Sequence, residues 1–330
     1  MKAIIPVAGI GSKLRPHTHT QPKALVPVAG KPILSHIVDK LVSTGVNDFI
    51  FIIGYLGDKI EEYIKSNYPA LKTSFVLQDP REGTGQAVWL SKDLINMNEE
   101  LIIALGDTIF DVDLKEIIES SGSLLGVKKV LDPRNFGVAE LDEAGIIRHV
   151  VEKPPIPKSN LALVGIYKIK ETKQLYEALE HMISKNQRTQ GEFHLTDAIM
   201  LMISDGVIFK TFPVENWYDC GVKDNLLETN AMLLKKNCKP VKADKYPNTI
   251  IIPPVSIAES CQISNSIIGP NVSIGENTII NYSILKDSII GSYSELENAV
   301  LHHSVIGSDA SLHGLSQSLN LGDSTEIDFG

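Results

Sequence analysis

The sequence has little cysteine and no excess of positive charge, and each shortage argues against a class of protein. Its three cysteines, Cys220, Cys238 and Cys261, are odd in number and lack the spacing of a metal site. They fit a reducing compartment such as the cytoplasm. The formal net charge of -9 argues against a general binder of nucleic acid or anionic membranes, because both need a basic surface.

Long apolar runs are also missing. No stretch approaches the ~20 apolar residues that span a bilayer, and the N-terminus runs into a strand-like sequence without a charged-then-apolar signal segment. We therefore expect a cytoplasmic protein that binds neither membrane nor nucleic acid. The 330 residues, 43% hydrophobic and 22% charged, are typical of a globular protein with one large and one smaller domain.

The most informative stretch is the loop at residues 8–32, AGIGSKLRPHTHTQPKALVPVAGKP. It follows residues 1–7, whose β-branched apolar side chains predict a buried first strand. Gly9 and Gly11 allow a sharp turn and a close approach of the backbone to a ligand. A strand that leads into glycines and cations is suited to holding polyphosphate through backbone N–H groups and side-chain charge.

Two common phosphate loops do not match this stretch. A Walker loop requires a closing Gly-Lys-Ser/Thr, which is absent. A dinucleotide loop of the form GxGxxG requires a third glycine, and Leu14 stands there. A GxG turn by itself is therefore weak support for a phosphate site.

Segments with strand and helix patterns alternate along the first 238 residues. Apolar spacing predicts helices at residues 32–43, 59–65 and 222–234, and strands at residues 49–53, 74–77 and 99–105. This order predicts an α/β domain with a Rossmann-like mixed, mostly parallel sheet and helices on both faces. Ligands of such sheets bind at the carboxyl ends of the strands, where Gly9, Gln78 and Asp107 fall.

The loop as a whole resembles the signature of the sugar-1-phosphate nucleotidyltransferases (NDP-sugar pyrophosphorylases), Gly-x-Gly-Thr-Arg-Leu-x-Pro-x-Thr-x-x-x-Pro-Lys. The matching residues are Gly9, Gly11, Ser12, Lys13, Leu14, Pro16, Thr18, Pro22 and Lys23. Ser12 replaces the usual Thr and keeps the hydroxyl. Lys13 replaces the usual Arg and keeps the charge, but it loses the planar guanidinium that binds phosphate in two places.

Further motifs extend the resemblance to the nucleotide and the metal. The residues that it implies for nucleotide binding are Ala8, Gly9, Gly11, Ser12, Gln78, Gly83 and Thr84. The amide of Gln78 offers a donor and an acceptor to a pyrimidine edge. Asp107 follows a predicted strand, and Asp219 lies in a segment similar to the family's Trp-x-Asp-x-Gly. The resemblance implies that these two carboxylates share Mg²⁺ with substrate phosphates; taken alone, Gly106-Asp107 is equally typical of a capped turn.

The sugar phosphate has its own set of motifs. The residues that the resemblance implies are Gly137 in a Tyr-Gly-Val-x-Glu-like segment, Glu152 and Lys153 in Glu-Lys-Pro, and Gly165 in the strand at residues 161–168. Residues 191–197 are similar to a Gly-Glu-x-x-x-Thr-Asp segment that rims the pocket. We expect Asp197 there to cap a helix that begins at Ala198.

The resemblance implies condensation of an NTP with a sugar 1-phosphate, with Lys13, Lys23, Asp107, Lys153 and Asp219 as the catalytic set. The motif style is closest to glucose-1-phosphate thymidylyltransferases, which favours dTTP or UTP and glucose 1-phosphate. Three alternatives stay open: a mannose-1-phosphate guanylyltransferase, a bifunctional nucleotidyltransferase/acyltransferase, and a non-catalytic regulatory homologue. For the acyltransferase, the candidate histidines are His302, His303 and His313.

The C-terminal part has a different sequence pattern. Residues 239–250 form a predicted linker, after which aliphatic residues return every five or six positions and a phrase of the type Ser-Ile-Ile-Gly occurs at residues 266–269, 288–291 and 304–307. Such repeats predict a parallel β-helix and resemble the hexapeptide left-handed β-helix, with coils of unequal length. The predicted domains are 1–238, 239–250 and 251–330, with residues 311–330 as a cap and the β-helix as the site of homo-oligomer assembly.

Overall fold

A computed structural model describes residues 1–237 and 240–314. The chain divides into two compact units, Met1–Thr229 and Asn230–Gly330. Most of the predicted cap, residues 315–330, lies outside the described residues, and so does Cys238. None of the described helices combines the length and the apolar composition that a membrane crossing requires.

The first unit alternates strands with helices, as the sequence predicts. Its strands are β1 (Lys2–Pro6), β2 (Pro27–Val28), β3 (Lys31–Pro32), β4 (Asp48–Ile53), β5 (Lys72–Leu77), β6 (Leu101–Ala104), β7 (Thr108–Asp111), β8 (Ser123–Lys129), β9 (Gly137–Leu141), β10 (Ile147–Glu152), β11 (Leu161–Ile169), β12 (Phe209–Pro213) and β13 (Asn216–Asp219). The helices are α1 (Ile33–Val42), α2 (Gly57–Asn67), α3 (Thr84–Trp89), α4 (Leu114–Glu119), α5 (Thr172–Ser184), α6 (Leu195–Ser204) and α7 (Lys223–Lys236), the last of which runs across the boundary into the second unit.

Nine strands form one mixed sheet, in the order β10-β9-β11-β6-β1-β4-β5, with β8 paired to β11 and β12 paired to β8. The pairings make seven strands run in one direction, while β10 and β11 oppose them. Ile4 of β1 belongs to the same buried cluster as residues of α3, α5 and α6. Its neighbours Ala3 and Ile5 point to the opposite face and are also fully buried. Both faces are therefore covered, and the predicted Rossmann-like sheet is confirmed.

The start of α6 differs from the prediction. The helix begins at Leu195 and its N-cap residue is His194, so Asp197 lies inside the first turn and does not cap a helix from Ala198. The apolar spacing of residues 195–204 begins earlier than the prediction assumed, because Leu195 is itself a buried member of the helix face.

The second unit is a column of short strands. These are β14 (Ile250–Ile251), β15 (Val255–Ile257), β16 (Gln262–Ser264), β17 (Ile267–Ile268), β18 (Val272–Ile274), β19 (Ile279–Asn281), β20 (Ile284–Lys286), β21 (Ile289–Ile290), β22 (Glu295–Glu297), β23 (Val300–His302), β24 (Val305–Ile306) and β25 (Ser311–His313). They stack into three parallel four-stranded sheets, β14-β17-β20-β23, β15-β18-β21-β24 and β16-β19-β22-β25. This is the arrangement of the predicted hexapeptide-type β-helix.

The coils are unequal in length, as the irregular spacing predicts. Ile263 pairs with Ile280, Ile280 with Leu296 and Leu296 with Leu312, so the first step is 17 residues and the next two are 16. The repeated phrase does not mark one face, however. Residues 266–269 contribute to β17, whereas residues 288–291 and 304–307 contribute to β21 and β24 of a different sheet.

Polar residues close the corners of the coils. The corner residues with positive φ recur in three columns: Asn265, Tyr282 and Asn298; Asn271, Asp287 and His303; Asn277, Tyr293 and Asp309. Asn and Asp tolerate this left-handed conformation better than most residues. Buried serines connect successive coils, since Ser266 Oγ accepts a hydrogen bond from the backbone N–H of Ser283 at 3.0 Å and Ser283 Oγ accepts one from Ala299 at 3.1 Å.

Candidate active site

The carboxyl ends of three parallel strands meet at one cavity. Gly9 follows β1, Gln78 follows β5 and Asp107 follows β6, and all three line a cavity of about 260 Å³, called here the first cavity. The other residues predicted for the nucleotide that line it are Ala8, Gly83 and Thr84, and Lys23 lies there as well. The sheet edge therefore gathers the residues in the way expected of an open α/β sheet.

A second cavity, of about 270 Å³, adjoins the first. Its lining contains every residue predicted for the sugar phosphate, Gly137, Glu152, Lys153 and Gly165, together with Asp219. The two cavities share Thr84, Leu105, Asp107 and Glu192. Asp107 thus stands where a ligand in one cavity would meet a ligand in the other.

Lys23 and Asp107 form an ion pair at this junction. The Nζ of Lys23 is 2.8 Å from Asp107 Oδ2. Lys23 opens a short 3₁₀ turn, Lys23–Leu25, directly after the extended Pro22, which directs the loop back across the end of the sheet. Burial raises the pKa of Asp107, but the charge and hydrogen bond of Lys23 outweigh this effect and hold the pKa below its usual value. The carboxylate is therefore anionic at neutral pH.

Asp219 is brought beside Asp107 by the two-stranded ribbon of β7 and β13. In this antiparallel pair, Asp219 lies opposite Thr108, and the backbone N–H of Cys220 donates to the carbonyl of Asp107 at 3.3 Å. Burial raises the pKa of Asp219, Lys23 lowers it, and the neighbouring charge of Asp107 raises it again. A second cation near these two carboxylates would relieve that repulsion.

The donor set fits Mg²⁺. Two carboxylates on adjacent strands supply the hard oxygen ligands that Mg²⁺ prefers, and the ion commonly takes its remaining ligands from water and substrate phosphates. Within residues 1–237 and 240–314 no cluster of three or more His, Cys, Asp or Glu side chains forms a ready cage for a metal. Asp107 and Asp219 therefore suit a metal that arrives with the nucleotide better than one held by protein ligands alone.

The two glycines of the loop have different surroundings. No atom lies within 4 Å of the position that a Cβ would take at Gly9, so a ligand can approach its backbone. Gly11 has φ +67°, and a Cβ there would lie 2.9 Å from Lys23 Cβ and 3.1 Å from Thr18 Cγ2. Its small size allows the stem of Lys23 to pack against the loop, which places the Lys23 ammonium.

Three predicted residues do not line either cavity. Gly11 is packed beneath Lys23, while Ser12 and Lys13 are exposed at the start of a 3₁₀ turn. Burial raises the pKa of Asp219 above its usual value, and the charge of Lys13 is close enough to oppose this shift slightly.

Gln78 belongs to a network that shapes the wall of the first cavity. Its amide nitrogen donates to the carbonyl of Gly83 at 2.9 Å and to Gln86 Oε1 at 2.7 Å, and Gln86 Nε2 in turn donates to the carbonyl of Pro80 at 3.0 Å. The donor half of the Gln78 amide is therefore already used by the protein. The sequence could not indicate this, because Gln86 had no apparent role.

The backbone conformation and the close packing at position 83 require a glycine. Its φ is +109°, and a Cβ would come within 2.5 Å of the carbonyl oxygen of Phe193. That carbonyl accepts a hydrogen bond from the N–H of Gly85 at 2.7 Å, and the N–H of Phe193 donates to Glu82 at 2.7 Å. These backbone bonds fasten the start of α3 to the segment that precedes α6, and so join the walls of the two cavities.

Glu152 and Lys153 lie at the mouth of the second cavity. Lys153 has φ +40°, an uncommon conformation for a residue with a side chain, and its N–H donates to the carbonyl of Phe136 at 3.0 Å. Its Nζ is 3.5 Å from Glu152 Oε1, while Glu152 Oε2 accepts a hydrogen bond from Thr196 Oγ1 at 2.7 Å. An ammonium and a held carboxylate can bind a phosphate and hydroxyl groups side by side.

Two glycines leave space for neighbours of this cavity. Gly165 has φ +80° at an irregularity of β11, and a Cβ there would lie 2.9 Å from the side chain of Leu105, which lines both cavities. A Cβ at Gly137 would lie 2.9 Å from Thr196 Cγ2. Both glycines therefore act through the position of side chains that contact the ligand space.

Several cavity residues were not predicted as individual site residues. These are Arg81, Glu192, His194, Thr196 and Trp217. The sequence carried a signal for most of them, since Glu192, His194 and Thr196 lie in the segment predicted to rim the pocket and Trp217 belongs to the Trp-x-Asp-x-Gly-like motif. The sequence motifs could not predict which of these side chains face the cavity.

The chain matches a known protein family over most of its length. Residues 2–236 match the family described as nucleotidyl transferase. The chain is 40% identical over 260 residues to the bifunctional protein GlmU of Methanocaldococcus jannaschii, covering 78% of this chain and 60% of that protein. It is 33% identical over 242 residues to a glucose-1-phosphate thymidylyltransferase of Streptomyces griseus, covering 71% and 66%.

A solved structure gives the same result for the fold. The crystal structure of a UDP-glucose pyrophosphorylase complexed with UDP-glucose superposes with a TM-score of 0.62 at 25% identity, covering 72% of this chain and 99% of that one. The chain spans only about 60% of the length of the M. jannaschii relative, so the activities of that whole protein do not transfer with the match. The match over residues 2–236 shows that this chain belongs to the nucleotidyl transferase family.

Proposed function

We propose that the protein condenses dTTP or UTP with glucose 1-phosphate to give the NDP-glucose and pyrophosphate. The observation that carries the proposal is the pair of adjoining cavities that meet at Asp107. One has the glycines and the lysine suited to a nucleotide, and the other has the Glu152–Lys153 pair suited to a sugar phosphate. The S. griseus relative is named for the thymidylyl reaction and the compared structure for the uridylyl reaction.

The chemistry requires positioning and charge neutralisation. An oxygen of the sugar phosphate attacks the α-phosphorus in line, the new P–O bond forms, and the bond to the bridging oxygen breaks so that pyrophosphate leaves with the electron pair. Lys153 holds the attacking phosphate, Lys23 steadies the α-phosphate region, and Lys13 approaches the β- and γ-phosphates from the exposed turn. A covalent protein intermediate is not needed.

Asp107 and Asp219 would hold Mg²⁺, which when bound supplies charge neutralisation to the phosphates. Both carboxylates must be ionised to hold the metal ion. Lys23 keeps Asp107 ionised, and a cation at the site would favour ionisation of Asp219 against the effect of its burial.

The proposed base follows from the hydrogen bonds of Gln78. Because its amide nitrogen already has two acceptors, the half of the side chain left for a base is the carbonyl oxygen. This acceptor pairs with the imide N–H of thymine or uracil. Guanine also presents an N–H on its edge, so a mannose-1-phosphate guanylyltransferase is the alternative that the test must separate.

The test is a matrix of pyrophosphate-release assays. Each of dTTP, UTP, GTP, CTP and ATP is combined with glucose 1-phosphate, mannose 1-phosphate and N-acetylglucosamine 1-phosphate at saturating Mg²⁺. We expect the highest kcat/KM for dTTP or UTP with glucose 1-phosphate. A preference for GTP with mannose 1-phosphate would replace the proposal by the alternative, and no release from any pair would support a regulatory homologue.

A second activity on the β-helix is the remaining alternative, since the M. jannaschii relative is named bifunctional. Among the described residues of the β-helix, His302 Nε2 is 3.4 Å from Asp287 Oδ2, and His313 Nδ1 is 3.2 Å from Glu297 Oε2. Both histidines are exposed on the surface of the coils. Release of free CoA thiol from acetyl-CoA with glucosamine 1-phosphate would support the bifunctional alternative.

A further inference from the structure

His194 has an unusual environment for a residue without an assigned role. Its side chain is only 7% exposed, it lines the second cavity, and its Nε2 atom is buried without a hydrogen-bond partner. Leaving a polar nitrogen buried and unpaired destabilises a folded protein, so each such atom calls for an explanation. A ligand in the cavity would supply the missing partner.

The backbone of His194 is held firmly. It is the N-cap residue of α6, and the next N–H, that of Leu195, donates to Thr84 Oγ1 at 3.1 Å. A Cβ added to Gly85 would lie 3.0 Å from the carbonyl of His194, so the start of α3 packs directly against this segment. The backbone of His194 is therefore part of the wall shared by both cavities.

The neighbours of the ring are carboxylates. The Nδ1 atom lies 3.9 Å from Glu152 Oε1, which is too long for a hydrogen bond. Burial raises the pKa of Asp197 in the first turn of α6, and His194 is close enough to oppose this shift. Glu152 is fixed by Thr196 at 2.7 Å and by Lys153 at 3.5 Å. The surroundings of His194 are thus negative, which disfavours an anionic group on the ligand at this point.

We propose that His194 selects the sugar, by binding one hydroxyl of a hexose 1-phosphate through Nε2, where the sugar carries no charge besides its phosphate. A hydroxyl both donates and accepts, so it can pair with Nε2 in either neutral tautomer of the imidazole. A hexose that lacks this hydroxyl would leave Nε2 buried and unpaired, and a site of that kind rejects the deoxy analogue. This inference rests on the proposed function and adds that His194 recognises one hydroxyl of the sugar.

The experiment measures sugar selectivity with glucose 1-phosphate and its 2-, 3-, 4- and 6-deoxy analogues. The wild-type enzyme is compared with His194→Phe, which keeps an aromatic ring without nitrogens, with His194→Gln, which keeps a polar group, and with His181→Phe, an exposed histidine on α5. For each variant the KM of the nucleotide is measured as well, since a structural fault in the shared wall would change both KM values.

We expect the wild type and His181→Phe to discriminate about 10–100-fold in kcat/KM against one deoxy analogue, as one lost hydrogen bond to a buried group implies. His194→Phe should lose that discrimination at an unchanged nucleotide KM, and His194→Gln should retain part of it. Equal use of all analogues by the wild type, or undiminished discrimination in either His194 variant, would overturn the role of His194 alone. No turnover with any sugar phosphate would overturn the proposed function and this inference with it.

Discussion

Lys23 Nζ lies 2.8 Å from Asp107 Oδ2, at the point where the two cavities of the sheet edge meet. The ion pair keeps the carboxylate charged and keeps the lysine at the junction. Gly11 contributes, because a larger residue there would collide with the stem of Lys23. The loop after β1 therefore acts mainly by placing one cation against the carboxylate at the end of β6.

The first prediction concerns the two carboxylates. Asp107→Asn and Asp219→Asn should each lower turnover by at least ~100-fold, or about 2.7 kcal/mol of barrier, because each removes one charged ligand from the proposed metal. The control is Asp93→Asn, an exposed aspartate of a surface turn. Steady-state assays over a range of Mg²⁺ concentrations make the measurement. Near-normal turnover of either variant at saturating Mg²⁺ would refute the shared-metal assignment.

The second prediction concerns Lys13, which lines neither cavity. If its ammonium reaches the phosphates from the exposed turn, Lys13→Ala should lose at least ~10-fold in kcat/KM for the nucleotide, and Lys13→Arg should match or exceed the wild type. Arg15→Ala is the neighbouring control, since Arg15 is exposed in the same loop. Wild-type kinetics for Lys13→Ala would mean that Lys23 provides the loop's phosphate contact without it.

Sequence patterns predicted the strands and helices of the fold more completely than the side-chain contacts of the site. The continuous apolar run of residues 49–53 and the helical spacing of residues 32–43 specify buried elements by themselves, and β4 and α1 lie there. The side-chain partners could not be predicted in this way. Nothing in the sequence indicates that Gln86 occupies the amide of Gln78, because that bond depends on the turn between β5 and α3.

In the β-helix too, the sequence predicted the type of fold but not the register of its residues. Its repeats predict parallel coils, but the Ser-Ile-Ile-Gly phrase at residues 288–291 lies one coil and about five residues beyond the phrase at residues 266–269, so the two belong to different sheets. The register depends on which residue adopts the positive φ at each corner. Asn, Asp, Tyr and His all occupy such corners, so the sequence does not mark them uniquely.

The third prediction concerns Gly83. Gly83→Ala places a Cβ 2.5 Å from the carbonyl oxygen of Phe193 at φ +109°. The carbonyl and the N–H of Phe193 are both held by backbone hydrogen bonds, so the segment cannot shift freely, and we expect a loss of at least ~2 kcal/mol in the free energy of unfolding. Gly45→Ala is the matched control: its φ is +90°, but nothing lies within 4 Å of its Cβ position, so it should lose about 1 kcal/mol. Urea denaturation measures both, and equal losses would contradict the role of the clash.

The fourth prediction concerns pH and His36. Burial lowers the pKa of His36 to about 4, with its ring nitrogen 2.9 Å from the carbonyl of Val28. The unfolded chain therefore takes up the proton first, and stability present above the ordinary pKa of about 6.5 is lost as the pH falls toward 4. Between pH 7 and pH 5 this loss should be about 2 kcal/mol for the wild type.

The check is urea denaturation at pH 7, 6 and 5. His36→Gln should be less stable than the wild type at pH 7, because it alters a buried contact, but its stability should depend less on pH. His149→Gln, an exposed histidine of β10, should follow the wild type throughout. An unchanged pH dependence in His36→Gln would show that other groups cause the acid sensitivity.

The last prediction concerns the β-helix, for which we propose a role in assembly and stability. One of its sheets carries a register-matched outer column of Ile250, Ile267, Ile284 and Val300. Ile267 is partly exposed, and Ile250, Ile284 and Val300 are 60%, 44% and 76% exposed. An aliphatic column of this kind is typical of a surface that another chain covers. Asn230 of α7 also depends on this unit, since its side chain donates to the carbonyl of Asn271 at 3.0 Å and accepts from Ser273 Oγ at 2.5 Å.

A chain ended near Asp244 should therefore keep pyrophosphate-releasing activity but form a smaller assembly and melt at a lower temperature, since Asn230 loses these partners. Ile284→Lys in the full chain should reduce the size of the assembly and leave the melting temperature of the monomer and the activity unchanged. The control is Gln262→Lys, at an exposed polar position of β16, which should change none of the three quantities. Size-exclusion chromatography with light scattering, thermal melts and the pyrophosphate assay measure the three quantities. Full oligomeric size and stability in the shortened chain would refute the assembly role, and a folded but inactive shortened chain would mean that the β-helix contributes to the active site.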